Sequence, residues 1–339
     1  LVSQPGYDPN LFSVGISTRD YEALRDDPDV PLFNRALRGV YPPGSTIKPV
    51  VGLAGLHYGT VSPWQRVYCI GYYTLPGHSH RYRDWKKEGH GPVDLHGAIT
   101  QSCDVYFYDL AVKLGIDNLQ SFLGAFGFGA RTGIDIPSEK AGTLPSREWK
   151  RARFARREDQ AWYPGETVIT GIGQGYLEVT PLQLAQMTAT IAARGARFRP
   201  MIVAARVDRA TGETETLAPV ALQPIEVTDD SYWDQVFRDM TDVVHGERGT
   251  ARRIGLDAPY RIAGKTGTAQ VFTIAQGEEY EADDVDERLR HHALFIAFAP
   301  AEAPRIAVAV IVENGGSGSG AAAPVARLVL DNYLLRSDQ

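Results

Sequence analysis

Pro42-Pro43-Gly44-Ser45-Thr46-Ile47-Lys48-Pro49 is the stretch in which an irregular segment of the chain becomes a helix. Pro-Pro-Gly does not fit a helix interior, whereas the mostly apolar residues 50–56 predict a buried helix, so Ser45 should lie at a helix N-terminus. A spacing of three residues places the Ser45 and Lys48 side chains on one helical face, where free N–H groups and the positive dipole end favour developing negative charge. Serine beside lysine is one known form of activated nucleophile. Taken alone, the pattern favours a serine that only caps a helix.

Two further motifs decide between these interpretations. Ser102-Cys103-Asp104 precedes an apolar helical pattern, and Lys265-Thr266-Gly267-Thr268 lies in the strand-like run 261–272. Each motif alone would indicate a helix cap or an ordinary strand. In the order Ser-x-x-Lys, Ser-x-Asn or Asp, and Lys-Thr-Gly, however, the three motifs are typical of active-site serine penicillin-recognising enzymes, and the chain resembles that family.

Within that family the chain resembles the class B peptidoglycan D,D-transpeptidases of cell elongation in Gram-negative bacteria, the penicillin-binding protein 2 branch. Asp104, where most relatives carry Asn, also fits this branch. The matching stretches are spread over nearly the whole chain: Tyr7-Asp8-Pro9-Asn10, Asn34-Arg35-Ala36, Tyr41 to Pro49, Arg81 to Lys86, Thr132-Gly133-Ile134-Asp135, Gly171 to Tyr176, Gly264 to Phe272 and Glu313-Asn314-Gly315-Gly316.

The resemblance implies an α+β fold of the penicillin-binding and serine β-lactamase type. In that fold a five-stranded antiparallel sheet is flanked by helices and lies beside an all-helical subdomain. We therefore expect one transpeptidase domain over residues 1–339, with its sheet-containing part in 1–44 and about 196–339 and its helical part in about 45–195. The residue patterns agree, because helical spacing dominates before residue 195, while a hairpin pattern around Thr211-Gly212, an apolar helical stripe over 233–244 and strand-like runs follow.

Composition narrows the class of protein. At 339 residues, 43% hydrophobic and 22% charged, the chain has ordinary globular usage and can bury a large core in one or two domains. A net charge of −6 argues against nucleic acid as a partner. No run reaches eighteen apolar residues, the length of a membrane span.

The resemblance also implies what surrounds the domain. Leu1-Val2-Ser3 looks like a cut through a strand, so we expect a soluble fragment without the N-terminal membrane anchor and pedestal domain of its relatives. The full-length protein would be a single-pass protein at the periplasmic face of the bacterial inner membrane. Its expected partners are stem pentapeptides that end in D-Ala-D-Ala, β-lactam antibiotics and the membrane glycosyltransferase of the elongation system, which it would meet through the missing regions.

The motifs carry the expected roles. Ser45 is the expected nucleophile and Lys48 its base, which requires a desolvated lysine or a nearby cation such as Lys265. Ser102 should relay a proton to the leaving amine, and Asp104 should hold Lys48 by a hydrogen bond, although its negative charge favours protonated Lys48. The remaining expectations concern substrate binding. The backbone N–H groups of Ser45 and Thr268 should form an oxyanion hole. The side chains of Lys265, Thr266 and Thr268, in the motif that also contains Gly267, should hold the carboxylate of the substrate.

The two cysteines, Cys69 and Cys103, leave two alternatives open. In an oxidising periplasm a disulfide is the default, worth roughly 3 to 4 kcal/mol for a loop of that length. Asp84 and His90 lie between them, and two thiolates, one imidazole and one carboxylate suit tetrahedral zinc. Some relatives carry zinc beside the active site, with ligands that correspond to Asp84, His90 and Cys103, while Cys69 replaces a carboxylate. We favour a structural zinc and no organic cofactor, and we expect the histidines at 78, 80, 96, 291 and 292 at the surface.

Two other segments invite functional interpretations. Gly171-Ile172-Gly173-Gln174-Gly175 lacks the spacing and the βαβ context of a nucleotide loop, so a turn or a close backbone approach is the better account. The basic run 150–157 is expected to be a solvated loop, with contact to an anionic cell-wall polymer or a partner protein as the alternative.

Two other functions remain open. A serine β-lactamase would share Ser45 and Lys48, but the chain shows no recognisable deacylating Glu motif. A non-enzymatic β-lactam sensor would bind the drug covalently without turnover, but such proteins usually carry Ser-x-Val at the second motif.

Overall fold

The fold combines ten α-helices with short strands, in a computed structural model that describes residues 1–271 and 285–336. The helices are Thr18–Arg25 (α1), Arg35–Arg38 (α2), Lys48–His57 (α3), Leu95–Thr100 (α4), Asp104–Ala125 (α5), Arg147–Arg153 (α6), Pro164–Thr170 (α7), Pro181–Ala192 (α8), Ser231–His245 (α9) and Ala323–Arg336 (α10). The strands are Val67–Cys69 (β1), Tyr72–Tyr73 (β2), Tyr82–Arg83 (β3), Gly91–Val93 (β4), Arg197–Phe198 (β5), Ala205–Val207 (β6), Thr214–Thr216 (β7), Ala221–Leu222 (β8), Ala263–Ala269 (β9), His292–Ala299 (β10) and Ile306–Val312 (β11).

The central sheet is antiparallel, in the order β11-β10-β9, with Phe295 opposite both Thr266 and Val310. The predicted strand-like runs form an antiparallel meander, but over the described residues this sheet has three strands rather than the five that the resemblance implied. The other strands pair with each other in two-stranded sheets, β1 with β4, β2 with β3, β5 with β8 and β6 with β7. Residues 1–17 form no strand, because Pro5 and Pro9 lack ladder donors and residues 9–12 form a 3₁₀ turn.

Helices cover the central sheet and supply its core. The predicted apolar stripe of α9 is confirmed, since Trp233, Val236, Met240 and Val244 are buried and the helix packs on β9. Helix α3 is buried from Lys48 to Leu56 and packs between α5 and α9. The start of α3 is therefore fixed between the helical part of the chain and the sheet.

Local sequence signals set several helix ends. Helix α5 breaks at Gly115, whose φ is 74°, a region that glycine adopts without a steric penalty. Thr180 caps α8, and its side chain and that of Gln183 bond each other's backbone N–H groups in a capping box.

The basic run 150–157 is exposed at Arg151, Arg153, Arg156 and Arg157, as predicted for a solvated segment, but it is partly helical and one of its members is buried. Residues 147–153 form α6, and Lys150 is buried, where it pairs with Glu166 among the rings of Tyr163 and Tyr176. Lys150 therefore does not belong to the solvated charge run.

Over the part of the chain that the structure describes, every helix is too short or too polar to cross a bilayer.

Candidate active site

The Ser45 motif lies where a 3₁₀ turn runs directly into α3. Gly44–Ile47 form the turn, and Lys48 is the first residue of the helix, so Ser45 stands at the helix entrance as predicted. Gly44 has a φ of +53°, and a Cβ there would meet the Thr268 carbonyl oxygen at 2.5 Å. The glycine therefore allows the backbone before Ser45 to lie against the end of the Lys-Thr-Gly motif.

The glycine-rich segment 171–175 supports the same turn from behind. The Gly44 N–H donates to the Gly173 carbonyl at 2.8 Å, and a Cβ on Gly173 would lie 2.2 Å from the Gly44 oxygen. The Gln174 Nε2 donates to the Thr268 carbonyl at 3.0 Å. The predicted close backbone approach is confirmed, and Gln174 is a contributor that the sequence did not single out.

Lys48 contacts the second motif. Its side chain is fully buried, and Nζ donates to the Asp104 carboxylate at 2.7 Å and to the Ser102 carbonyl at 2.9 Å. The Ser102 Oγ lies 3.4 Å from the same Nζ. Ser102 has a φ of 59°, a left-handed conformation that is uncommon outside glycine and often marks functional sites.

Lys265 approaches the same serine from the sheet. Its Nζ donates to the Ser102 Oγ at 2.8 Å and to the Thr266 carbonyl at 3.0 Å, and its side chain is fully buried. Burial lowers the pKa of Lys265 well below its usual value, and the positive charge of Lys48 lowers it further. The Ser102 hydroxyl thus lies between two lysines, one from α3 and one from β9.

Asp104 is the acidic member of this group. Burial raises its pKa, and the nearby Lys48 opposes that shift. One carboxylate oxygen accepts from Lys48, and the other accepts from the Trp85 backbone N–H at 3.2 Å. The contact with Lys48 is the one that the expected positioning role requires.

Thr250 is a member of the site that the sequence did not predict. Its Oγ1 lies 2.8 Å from the Thr266 Oγ1, and its backbone N–H donates to the Thr100 carbonyl at 3.3 Å. No motif or period marks this residue, which lies sixteen positions before Thr266 in an irregular turn.

The four expected metal ligands also come together. Cys69, Asp84, His90 and Cys103 each offer a ligand atom, and these atoms all lie within 4.8 Å of one another. Both cysteines are free thiols and are buried. The Asp84 Oδ2 lies 3.3 Å from the Cys103 Sγ and 3.5 Å from the Cys69 Sγ, and it also accepts the Asp104 backbone N–H at 2.8 Å. The cluster is therefore bonded directly to the second motif.

Hydrogen bonds within the cluster shift its pKa values. The thiol of Cys103 donates to Cys69, which lowers the pKa of Cys69 to about 6 and, together with burial, raises that of Cys103. Burial lowers the pKa of His90, but hydrogen bonds with Asp84 and Cys69 outweigh it and the net shift is upward. For Asp84 the directions are reversed. Burial raises the pKa of this carboxyl group, but hydrogen bonds with His90 and with backbone N–H groups outweigh it, and the net shift of the pKa is downward.

The expectation that five histidines lie at the surface is only partly right. His78 and His80 are exposed, but His291 is buried and His292 is half-buried. The His96 Nδ1 lies 2.7 Å from a carboxylate oxygen of the fully buried Asp239. This contact connects α4, the helix just before Ser102, to α9. A single histidine between apolar residues gives no hint of a partner 143 positions away.

His96 should make stability depend on pH. The hydrogen bond to Asp239 raises the pKa of His96 above 6.5, so its stabilisation is present below pH 6.5 and is lost as pH rises through the folded-state value. We expect His96→Gln to lower the thermal midpoint by about 2 °C at pH 6 and by much less at pH 9. Calorimetry at both pH values measures this, with exposed His78→Gln as the control. An equal loss at both pH values would contradict the prediction.

Comparisons with known proteins agree with the geometry. Residues 1–331 match the family model of the penicillin binding protein transpeptidase domain. The peptidoglycan D,D-transpeptidase MrdA of Acinetobacter baumannii is 48% identical over 336 residues, which cover 99% of this chain and 48% of the relative. The crystal structure of Pseudomonas aeruginosa PBP2 in complex with WCK 5153 has a TM-score of 0.87 and 51% identity, and the match covers 98% of this chain and 68% of that one.

A third similar structure is that of a protein in a complex. The Helicobacter pylori PBP2 in its complex with MreC is 32% identical with a TM-score of 0.85, and the match covers 98% of this chain and 57% of that one. The chain spans about half the length of the curated relatives it matches. It belongs to the penicillin-binding protein transpeptidase family, in the MrdA (PBP2) branch of peptidoglycan D,D-transpeptidases.

Proposed function

We propose that this chain is the catalytic domain of a peptidoglycan D,D-transpeptidase of cell elongation, which cross-links stem peptides through an acyl-enzyme on Ser45 and is acylated there by β-lactams. The observation that carries the proposal is the arrangement of two buried lysines, Lys48 and Lys265, around the Ser102 hydroxyl at the entrance of the Ser45 helix.

Acylation begins at Ser45. Its Oγ attacks the carbonyl carbon of the penultimate D-Ala of a pentapeptide, and Lys48 takes the hydroxyl proton. The peptide bond to the terminal D-Ala breaks, and Ser102 passes a proton to the leaving amine, so free D-Ala departs and an ester remains on Ser45. An amine of a second stem then attacks this ester, forms the cross-link and returns the Ser45 hydroxyl.

The lysines set the direction of proton transfer. Two ammonium groups on one buried hydroxyl repel each other, so burial beside Lys48 favours the neutral form of Lys265. Asp104 holds the Lys48 side chain in place through the 2.7 Å contact, and a proton that Lys48 carries can move through the Ser102 hydroxyl to neutral Lys265, which leaves Lys48 free to accept the proton of Ser45. Ser102 connects the two amines and thereby provides the path for a proton to the leaving group.

The backbone and the third motif bind the substrate. The N–H groups of Ser45 and Thr268 would donate to the developing oxyanion, and the close approach of Gly44 to Thr268 places these two segments side by side. Alternate side chains of a strand share a face, so Thr266 and Thr268 would together present hydroxyls to the substrate carboxylate near Lys265.

Cys69, Asp84, His90 and Cys103 fit a zinc ion. With ligand distances of about 2.0 to 2.3 Å, the edges of a tetrahedron are about 3.3 to 3.8 Å. The Asp84 Oδ2 lies at 3.3 and 3.5 Å from the two sulfurs, and the His90 Nδ1 lies 3.6 Å from the Cys69 Sγ. Such an ion would supply structural cross-linking of the segment before the second motif, because Asp84 also accepts the backbone N–H groups of Asp104 and Val105.

We further propose the arrangement of the whole protein. Residues 1–339 would be one transpeptidase domain, with a sheet-containing part in 1–44 and about 196–339 and a helical part in about 45–195. An N-terminal pedestal and a single membrane anchor would hold it at the periplasmic face of the inner membrane. The complex of the H. pylori PBP2 with MreC supports assembly with a protein of the MreC kind, and we propose the membrane glycosyltransferase as a further partner.

Mass spectrometry and D-Ala release test this function. The intact denatured protein is weighed over time after addition of benzylpenicillin, and D-Ala is measured with a pentapeptide donor and an acceptor amine. We expect one adduct that persists for an hour or more, and D-Ala release matched by a cross-linked product. An adduct that decays within minutes would identify a β-lactamase instead. A stable adduct without D-Ala release from full-length protein would identify a sensor.

A further inference from the structure

Thr250 is held rigidly beside the third motif. It lies between α9 and the 3₁₀ turn Arg252–Ile254, and the following residue, Ala251, donates its N–H to the Val243 carbonyl at 2.9 Å. A Cβ on the preceding Gly249 would lie 2.4 Å from the Val243 oxygen, so this turn packs tightly against the end of α9. The hydroxyl of Thr250 therefore has a fixed position.

Thr250 contacts two elements that border the site, the strand β9 and the end of helix α4. Its Oγ1 lies 2.8 Å from the Oγ1 of Thr266 on β9. Its backbone N–H donates at 3.3 Å to the carbonyl of Thr100, the last residue of α4, two positions before Ser102. Because one residue makes both contacts, the position of Thr266 is coupled to that of the segment that carries Ser102.

The direction of the hydroxyl pair decides what Thr266 can bind. A threonine hydroxyl has one hydrogen to donate, so if Thr266 donates to Thr250 it has none for an anion. If Thr250 donates, the Thr266 hydrogen is free to point at a carboxylate, and acceptance from Thr250 strengthens it as a donor. An anion near Lys265 favours this second direction.

We propose that Thr250 is a positioning residue that orients the Thr266 hydroxyl toward the free carboxylate of the donor peptide or of a β-lactam. The inference rests on the proposed function and deepens it, because it assigns selection of carboxylate-bearing substrates to a residue outside the three motifs.

A pair of probes separates this role from a purely structural one. Rates of Ser45 acylation are measured with benzylpenicillin and with its neutral methyl ester, for wild type, Thr250→Val, Thr250→Ser and Thr266→Val. We expect Thr250→Val to slow acylation by benzylpenicillin roughly five-fold, as for the loss of one hydrogen bond, with little change for the ester. Thr250→Ser keeps the hydroxyl and should retain the wild-type ratio of the two rates. The double variant Thr250→Val with Thr266→Val should be no slower than Thr266→Val alone.

Three results would overturn the inference while the proposed function stands: no change with benzylpenicillin, the same loss with both probes, or additive losses in the double variant. If Thr250→Val does not fold, Thr250→Ala removes the same hydroxyl in a smaller side chain and is measured instead. Wild-type protein that benzylpenicillin does not acylate would overturn the proposed function itself, and the role of Thr250 would fall with it.

Discussion

Replacing Ser45 by alanine is expected to abolish covalent labelling by benzylpenicillin, with a loss of at least about 10⁴-fold in the acylation rate. The reason is chemical, because the Ser45 oxygen becomes part of the acyl-enzyme and alanine has no oxygen with which to form that ester. The measurement is intact mass after an hour with excess drug, followed by peptide mapping of the wild-type adduct.

The mapping also decides between two serines. Ser102 is a second serine in the site and its hydroxyl contacts both lysines, so geometry alone would allow it to be the nucleophile. We expect the wild-type adduct on the peptide that contains Ser45, and we expect exposed Ser62→Ala, the matched control, to label as wild type does. A stable adduct on the Ser45→Ala protein, or an adduct on Ser102, would refute the assignment.

Local signals in the sequence predicted much of the fold and the motifs of the site. The proline pair before Ser45, the glycine at 115 and the cap at Thr180 act within a few residues, so their effects can be inferred without a tertiary structure. The stripe of α9 was predicted for a similar reason, since a 3.6-residue period reports directly on a buried face.

Contacts between distant segments could not be predicted in this way. Thr250 reaches Thr266 across a turn, and His96 pairs with Asp239 on another helix, although neither residue belongs to a motif. The buried Lys150 shows the opposite failure, because a run of basic residues hides one member that turns inward to Glu166. In each case the packing of whole helices and strands determines which residue is the partner, and a local sequence pattern does not predict that packing.

The cluster of Cys69, Asp84, His90 and Cys103 was predictable only in part. The residue types at 69, 84, 90 and 103 indicated zinc chemistry, but only the pairing of β1 with β4 brings Cys69 next to residues 90–91. The registers of two short strands thus decide whether four scattered residues form one site.

Removing zinc should destabilise the protein strongly if the cluster is its site. An ion present at about a thousand times its dissociation constant adds roughly 4 kcal/mol, which corresponds to a fall in thermal midpoint of roughly 6 °C for a chain of this length when a chelator removes it. We expect about one zinc per chain by elemental analysis, a large fall in midpoint with chelator, and two thiols that react with an alkylating reagent only after metal removal.

Matched histidines provide the control. His90→Ala should lose both the metal and the chelator effect, whereas His78→Ala, in the same segment but exposed, should keep both. A disulfide in place of a zinc site would give the opposite result in the zinc and thiol measurements. If Cys69 and Cys103 instead form a disulfide, the denatured protein incorporates no alkyl label without reductant and the purified chain carries no zinc. Because Asp84 bonds to the backbone of Asp104, metal loss should also slow acylation of Ser45, but the elemental and thiol measurements decide the question without reference to activity.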